Sequence, residues 1–162
     1  MCIRDRHGVD VGYVDTLLAH NARRYGWVQR QLEGRLLGRD GRAVVAVWGL
    51  AYKKNTHSTK NSMALRVIEN LRGRAEVRAY DPLVKTPGAD VSATVVESRD
   101  AALVGADCLL ILTDWDEFAT PPRTGFRSMR RPLVIDCVGV MDPTRHELPG
   151  VEYISMGRAR RS

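Results

Sequence analysis

Cysteine, lysine and long apolar runs are all in short supply here, and each shortage closes a class of function. The three cysteines, Cys2, Cys108 and Cys137, are an odd number with no CxxC spacing and no Cys/His cluster, so no metal site is expected. Two of them stand inside apolar runs, where a thiol behaves as a small hydrophobe. The longest apolar stretch, Ala43 to Tyr52, has about ten residues against the roughly 20 that a membrane-spanning helix needs, so no membrane partner is expected. Met1 to Arg6 carries charges with no apolar segment behind it, which gives secretion no support and makes the cytoplasm the expected compartment. Lysine is nearly absent: 21 of the 25 basic residues are arginine, scattered among 19 acids. The net charge of +6 is therefore spread out, and the one dense cluster, Arg158, Arg160 and Arg161, sits at the chain end, so nucleic acid is not an expected partner.

What is present is the composition of a folded domain. The chain has 162 residues, 44% hydrophobic and 27% charged, enough for one domain with its own core. Val14, Leu18, Asn21, Tyr25, Val28, Leu32 and Leu36 recur at steps of three or four, which predicts one long amphipathic helix. At 1.5 Å per residue such a helix runs for about 34 Å. Its stripe either meets a second subunit or another domain, with Asn21 fixing the register, or packs on its own body. Gly38, Asp40 and Gly41 mark the turn that ends it.

Beyond that turn the pattern alternates. Ala43 to Trp48 is an apolar, β-branched run that reads as a strand buried on both faces. Ser62 is a good N-cap for a helix carrying Ala64, Val67, Ile68 and Leu71. Glu76 to Tyr80, Val91 to Val96, Cys108 to Leu112, Leu133 to Val138 and Val151 to Ser155 are further strand candidates, with a helix at about Arg99 to Val104. Alternation of this kind predicts an α/β fold, a Rossmann-like doubly wound and mainly parallel sheet, preceded by the long helix.

Ligands of such sheets sit beyond the carboxyl ends of the strands. The loop after the first body strand reads Gly49-Leu50-Ala51-Tyr52-Lys53, so the second and third glycines of a dinucleotide-binding GxGxxG are missing. Three of the four lysines, Lys53, Lys54 and Lys60, fall in this short stretch beside Tyr52. An aromatic plane with ammonium groups ahead of a helix N-terminus suits an anionic ligand with a flat or sugar moiety. A solvated loop with Tyr52 packed on the sheet fits the same residues.

The run from Val47 to Leu65, VWGLAYKKNTHSTKNSMAL, resembles the GLAFKxxTxDxRxS signature of the UDP-binding C-terminal domain in the UDP-glucose/GDP-mannose dehydrogenase family. Gly49, Leu50, Ala51, Lys53, Thr56 and Ser62 match it; Tyr80-Asp81-Pro82, Ala106-Asp107 and Thr113 to Phe118 resemble later family elements in the same order, and Asn21 to Leu32 is similar to the end of the family's central helix. The resemblance implies a nucleotide-sugar-binding domain of an NAD-dependent 6-dehydrogenase, which oxidises a sugar C6 alcohol to a carboxylate, as from UDP-glucose to UDP-glucuronate. NAD then belongs mainly to an N-terminal domain, and the central helix pairs subunits into a homodimer. Tyr52 and Lys53 take the positions that contact the UDP-sugar, and Lys60 that of the arginine reaching the cofactor across the domain cleft. Lysine there keeps the charge and loses the planar fork.

Three departures qualify the match. His57 and Ser58 stand where the family has its aspartate, so His57 reads as an exposed loop residue. Asp136-Cys137-Val138 replaces an Asp-Gly-Arg whose arginine contacts the substrate diphosphate. No cysteine has the glycine-rich context of the family's nucleophile, so no catalytic residue is assigned. The expected organisation is a non-native or disordered leader (1–8), the end of the central helix (9–40), the UDP-sugar-binding domain (41–157) and a basic tail (158–162). Two other readings are a stand-alone nucleotide-sugar-binding or regulatory domain and, behind it, a basic nucleic-acid-binding domain.

Overall fold

The computed structural model describes residues 12–37, 42–88, 90–144, 146 and 148–157. The leader (1–8), the turn at Gly38, Asp40 and Gly41, Cys2 and the basic tail (158–162) lie outside the described residues, as do the side chains of Val14, Leu18 and Asn21. A helix, α1 (Gly12–Arg35), leads into β1 (Ala43–Trp48), α2 (Met63–Leu71), β2 (Ala75–Tyr80), β3 (Thr94–Val95), α3 (Arg99–Leu103), β4 (Cys108–Ile111), a 3-10 turn (Asp116–Ala119), β5 (Leu133–Asp136) and β6 (Glu152–Ser155).

All six strands are parallel, in the order β3-β2-β1-β4-β5-β6. That is the order of a Rossmann sheet, in which the winding reverses between β1 and β4. The switch point explains why β1 and β4 are wholly apolar: with a neighbour on each side and layers on both faces, Val45 to Trp48 and Cys108 to Ile111 have no exposed surface. Ser62 caps α2 by accepting a hydrogen bond from the Ala64 amide at 3.1 Å, and the helix buries Ala64, Val67, Ile68 and Leu71. No helix among the described residues is long and apolar enough to cross a membrane.

Two strands fall two or more residues short of the apolar runs that announce them. Only Thr94 and Val95 of the stretch from Val91 to Val96 pair with β2, because β3 is an edge strand and the Ala93 amide folds back onto the Val91 carbonyl. Strand β5 ends at Asp136 because the Asp136 carboxylate captures the amides of Val138 and Gly139, at 3.0 and 2.6 Å, before they can extend the ladder.

The second half of α1 is fastened to its own body. Val28 and Leu32 are fully buried and Leu36 nearly so. Arg24 donates to the Cys137 carbonyl at 3.1 Å, Arg131 donates to the Arg35 carbonyl at 2.9 Å, and Arg35 pairs with Glu152 at 3.3 Å. On the other side Tyr25 lies under the Arg66 guanidinium, 4.5 Å from ring centre to carbon, and accepts from the Asn70 amide. Removing a buried leucine leaves a cavity that costs about 2–5 kcal/mol. Leu32→Ala should therefore lower the urea midpoint by that equivalent, while Arg30→Ala on the exposed face changes it little; equal effects would mean α1 is not docked this way.

Candidate functional site

Three strand ends converge on one buried carboxylate. Asp81, immediately after β2, has no exposed surface. One of its oxygens accepts the Leu50 and Ala51 amides at 2.8 and 3.0 Å and the Trp115 indole N–H at 3.2 Å. The other accepts the Leu83 and Val84 amides, both at 2.9 Å. The loops leaving β1, β2 and β4 are thereby tied to one point. Charge-assisted bonds of this kind are about twice as strong as neutral ones.

The loop leaving β1 is forced through a narrow gap. Gly49 has φ +95°, and a Cβ there would lie 2.5 Å from Thr113 Cβ and 2.8 Å from the Thr113 amide nitrogen. Only glycine fits both the conformation and the space. Thr113 closes the contact by donating its hydroxyl to the Ala51 carbonyl at 2.8 Å. The chain then makes a small outward loop, closed by the Tyr52 amide donating to the Ser58 carbonyl at 2.8 Å, with Asn55 in the left-handed region.

On that loop the predicted residues separate clearly. Tyr52 is 62% exposed, which removes the alternative in which it packs on the sheet. Lys54 is engaged: its Nζ lies 2.8 Å from Asp116 Oδ1, and this bond, reinforced by the Asp116 charge, raises its pKa. Lys53 is exposed and has no ion pair among the described residues. Lys60 is likewise exposed, two positions before the Ser62 cap, and His57 is exposed on the loop. Tyr52 and Lys53 are neighbours in sequence and both exposed, and Lys60 lies at the far end of the same connection.

Beneath the 3-10 turn lies an aromatic floor. Trp48 stacks on Phe118 at 5.2 Å and Tyr80 meets Phe118 edge-on at 6.2 Å. Arg99 covers Trp48 at 5.6 Å and donates to the carbonyls of Glu117, Thr120 and Pro121, which pins the turn. Burial, followed by the Glu117 charge, raises the Tyr80 pKa. Sequence reading missed Asp81 as the organising group and Asp116 as the lysine partner; an aspartate between a strand end and Pro82 was the available signal for the first.

The remaining site-type residues offer little chemistry. Cys108 and Cys137 are both fully buried, and desolvation pushes both thiols up, away from the thiolate form a nucleophile needs. Val138, at the position of the expected arginine, is half-buried in a loop held by Asp136. No group of three potential metal ligands occurs among the described residues. The Leu50 and Ala51 amides, which a dinucleotide loop would offer to a pyrophosphate, are already taken by Asp81.

The UDP-glucose/GDP-mannose dehydrogenase family, UDP binding domain, matches residues 46–143. The UDP-glucose 6-dehydrogenase of Pseudomonas aeruginosa is 33% identical, over 96% of this chain and 37% of its own length. Among solved structures, a UDP-glucose dehydrogenase from Pyrobaculum islandicum superposes with a TM-score of 0.69 at 25% identity, covering 95% of this chain and 34% of that one. The UDP-D-ManNAc dehydrogenase of Pyrococcus horikoshii superposes with a TM-score of 0.65 at 31% identity, over 85% of this chain and 31% of that one. The chain thus spans about a third of the length of the relatives it matches.

In Asp81→Asn an amide NH2 must face either three or two N–H donors, and neither orientation satisfies them. A buried donor left unpaired costs about 1–3 kcal/mol, so the variant should lose at least that much stability by urea titration. Wild-type stability in Asp81→Asn would show that the carboxylate does not organise the loops.

Proposed function

The chain belongs to the UDP-glucose/GDP-mannose dehydrogenase family, of which it supplies the UDP binding domain, and from that membership we propose that it is the nucleotide-sugar-binding part of an NAD-dependent 6-dehydrogenase. The whole enzyme oxidises the C6 alcohol of a UDP-sugar, of the UDP-glucose type, to a carboxylate. In this chain Tyr52 and Lys53 hold the UDP end. The observation that carries the assignment is the division of labour on the β1 loop: Lys54 is paired with Asp116, whereas Lys53, beside exposed Tyr52, has no ion pair among the described residues and is open to a ligand. A lysine facing a diphosphate acts as a mobile point charge and needs no fixed fork.

The β1 loop does not fit the diphosphate of NAD, because Asp81 occupies its amides and two of the three glycines are missing. Bound NAD supplies hydride acceptance in the whole enzyme, and no step of that chemistry is assigned to residues of this chain. Lys60 is assigned a single charge-to-charge contact with the cofactor across the domain cleft. Two copies pair through the first half of α1, about 18 Å of helix ahead of Arg24, which is the first residue fastened to the body among those whose side chains are described. The enzyme works in the cytoplasm, without nucleic acid: Arg24, Arg35, Arg74, Arg99, Arg130 and Arg131 are all engaged within the fold rather than gathered for phosphates.

Loss of a charge-assisted bond to a phosphate is worth about 1.5–3 kcal/mol, or roughly tenfold to a hundredfold in affinity. Calorimetry with UDP should show that loss in Lys53→Ala and a change within a few-fold in Lys54→Ala, whose partner is an exposed acid. Equal losses would reduce the loop to a generic basic surface. The purified chain should form no NADH from NAD and UDP-glucose; turnover abolished by Cys108→Ser or Cys137→Ser would overturn the assignment.

A further inference from the structure

A concavity lies at the amino-terminal end of the sheet, opposite the β1 loop, where the segment after the 3-10 turn meets the entrances to β5 and β6. Its volume is about 610 Å³, within the range of small-molecule sites. Phe126, Met129, Leu148 and Val151 give it apolar walls, and Arg123 and Arg127 stand among them. These two guanidiniums differ from the neighbouring basic residues: Arg130 is paired with Asp107, and Arg131 with the Arg35 carbonyl and Glu152, whereas Arg123 and Arg127 have no partner among the described residues. The segment that carries them is anchored to the body at its carboxyl-terminal end. Gly105 donates its amide to the Ser128 carbonyl at 2.7 Å, and the Arg130 amide donates to the Ala106 carbonyl at 2.9 Å.

We propose that this cleft binds a small amphipathic anion, with the apolar body against Phe126, Met129 and Leu148 and the anionic group between Arg123 and Arg127. An uncharged ligand would make no use of the two exposed guanidiniums at the rim, and a wholly polar anion would leave the apolar walls wet. Arginine suits the role because its planar fork matches carboxylate, sulfonate or phosphate oxygens and is weakly hydrated. The cleft lies at the other end of the strands from the β1 loop, so it is separate from the site assigned to UDP.

The test uses two fluorescent probes of the same shape, 8-anilinonaphthalene-1-sulfonate and its uncharged analogue N-phenyl-1-naphthylamine, titrated into the 162-residue chain. The sulfonate should bind more tightly than the neutral probe, by at least about tenfold for one charge-assisted contact. Arg123→Gln combined with Arg127→Gln should remove that advantage and leave the neutral probe unchanged, and saturating UDP should displace neither probe. Both substitutions lie on exposed side chains, so the fold is retained, with the melting curve as the check. Equal affinity for the two probes, an unaffected sulfonate in the double variant, or displacement by UDP would each overturn the proposal.

Discussion

Asp81 has no contact with solvent, yet its two carboxylate oxygens answer to five donors from three different loops. A parallel sheet delivers its strand ends to one edge, but nothing in the sheet itself fixes how the loops beyond that edge sit against one another. Here a single charge does so. It draws in the β1 exit through Leu50 and Ala51, the β2 exit through Leu83 and Val84, and the β4 exit through Trp115. Gly49 against Thr113 sets how closely the first and last of these approach.

That arrangement decides what the β1 loop presents outward. With the Leu50 and Ala51 amides turned inward to Asp81, the loop does not offer them to a phosphate, and what it presents to solvent are the side chains that follow. Tyr52 and Lys53 project from the small closed loop, and Lys54 bends across to Asp116. The same sheet order that supports dinucleotide binding elsewhere thus carries a different surface, because one aspartate competes successfully for the amides that a dinucleotide would use. The amino-terminal end of the sheet, where Arg123 and Arg127 have no partner among the described residues, is independent of this network.

Much of the fold could be read from the sequence, because the apolar run at Val45 to Trp48 and the 3.6-residue spacing of Ala64, Val67, Ile68 and Leu71 are direct marks of burial. Strand ends were less legible. At Asp136 the apolar pattern continues through Cys137 and Val138, and only the carboxylate turned back onto the following amides stops the ladder. For the proposed site, the motif placed Tyr52 and Lys53 on the loop after β1, where both are exposed. The distinction between Lys53 and Lys54 depends on Asp116, 62 positions away, and no local pattern carries that information. Asp81 was visible as part of a turn, while its partners Leu50, Ala51 and Trp115 are brought to it only by the parallel order of β2, β1 and β4.

The central claim is that the loop tied to Asp81 is where this chain meets the nucleotide. Amide chemical shifts recorded during a UDP titration of the isotopically labelled chain test it most directly. The account predicts that the shifts concentrate in Leu50 to Ser58 and Thr113 to Phe118, at the carboxyl ends of β1 and β4. Shifts centred on Arg123 to Met129 and Leu148 to Val151, or a spectrum that UDP leaves unchanged, would contradict it.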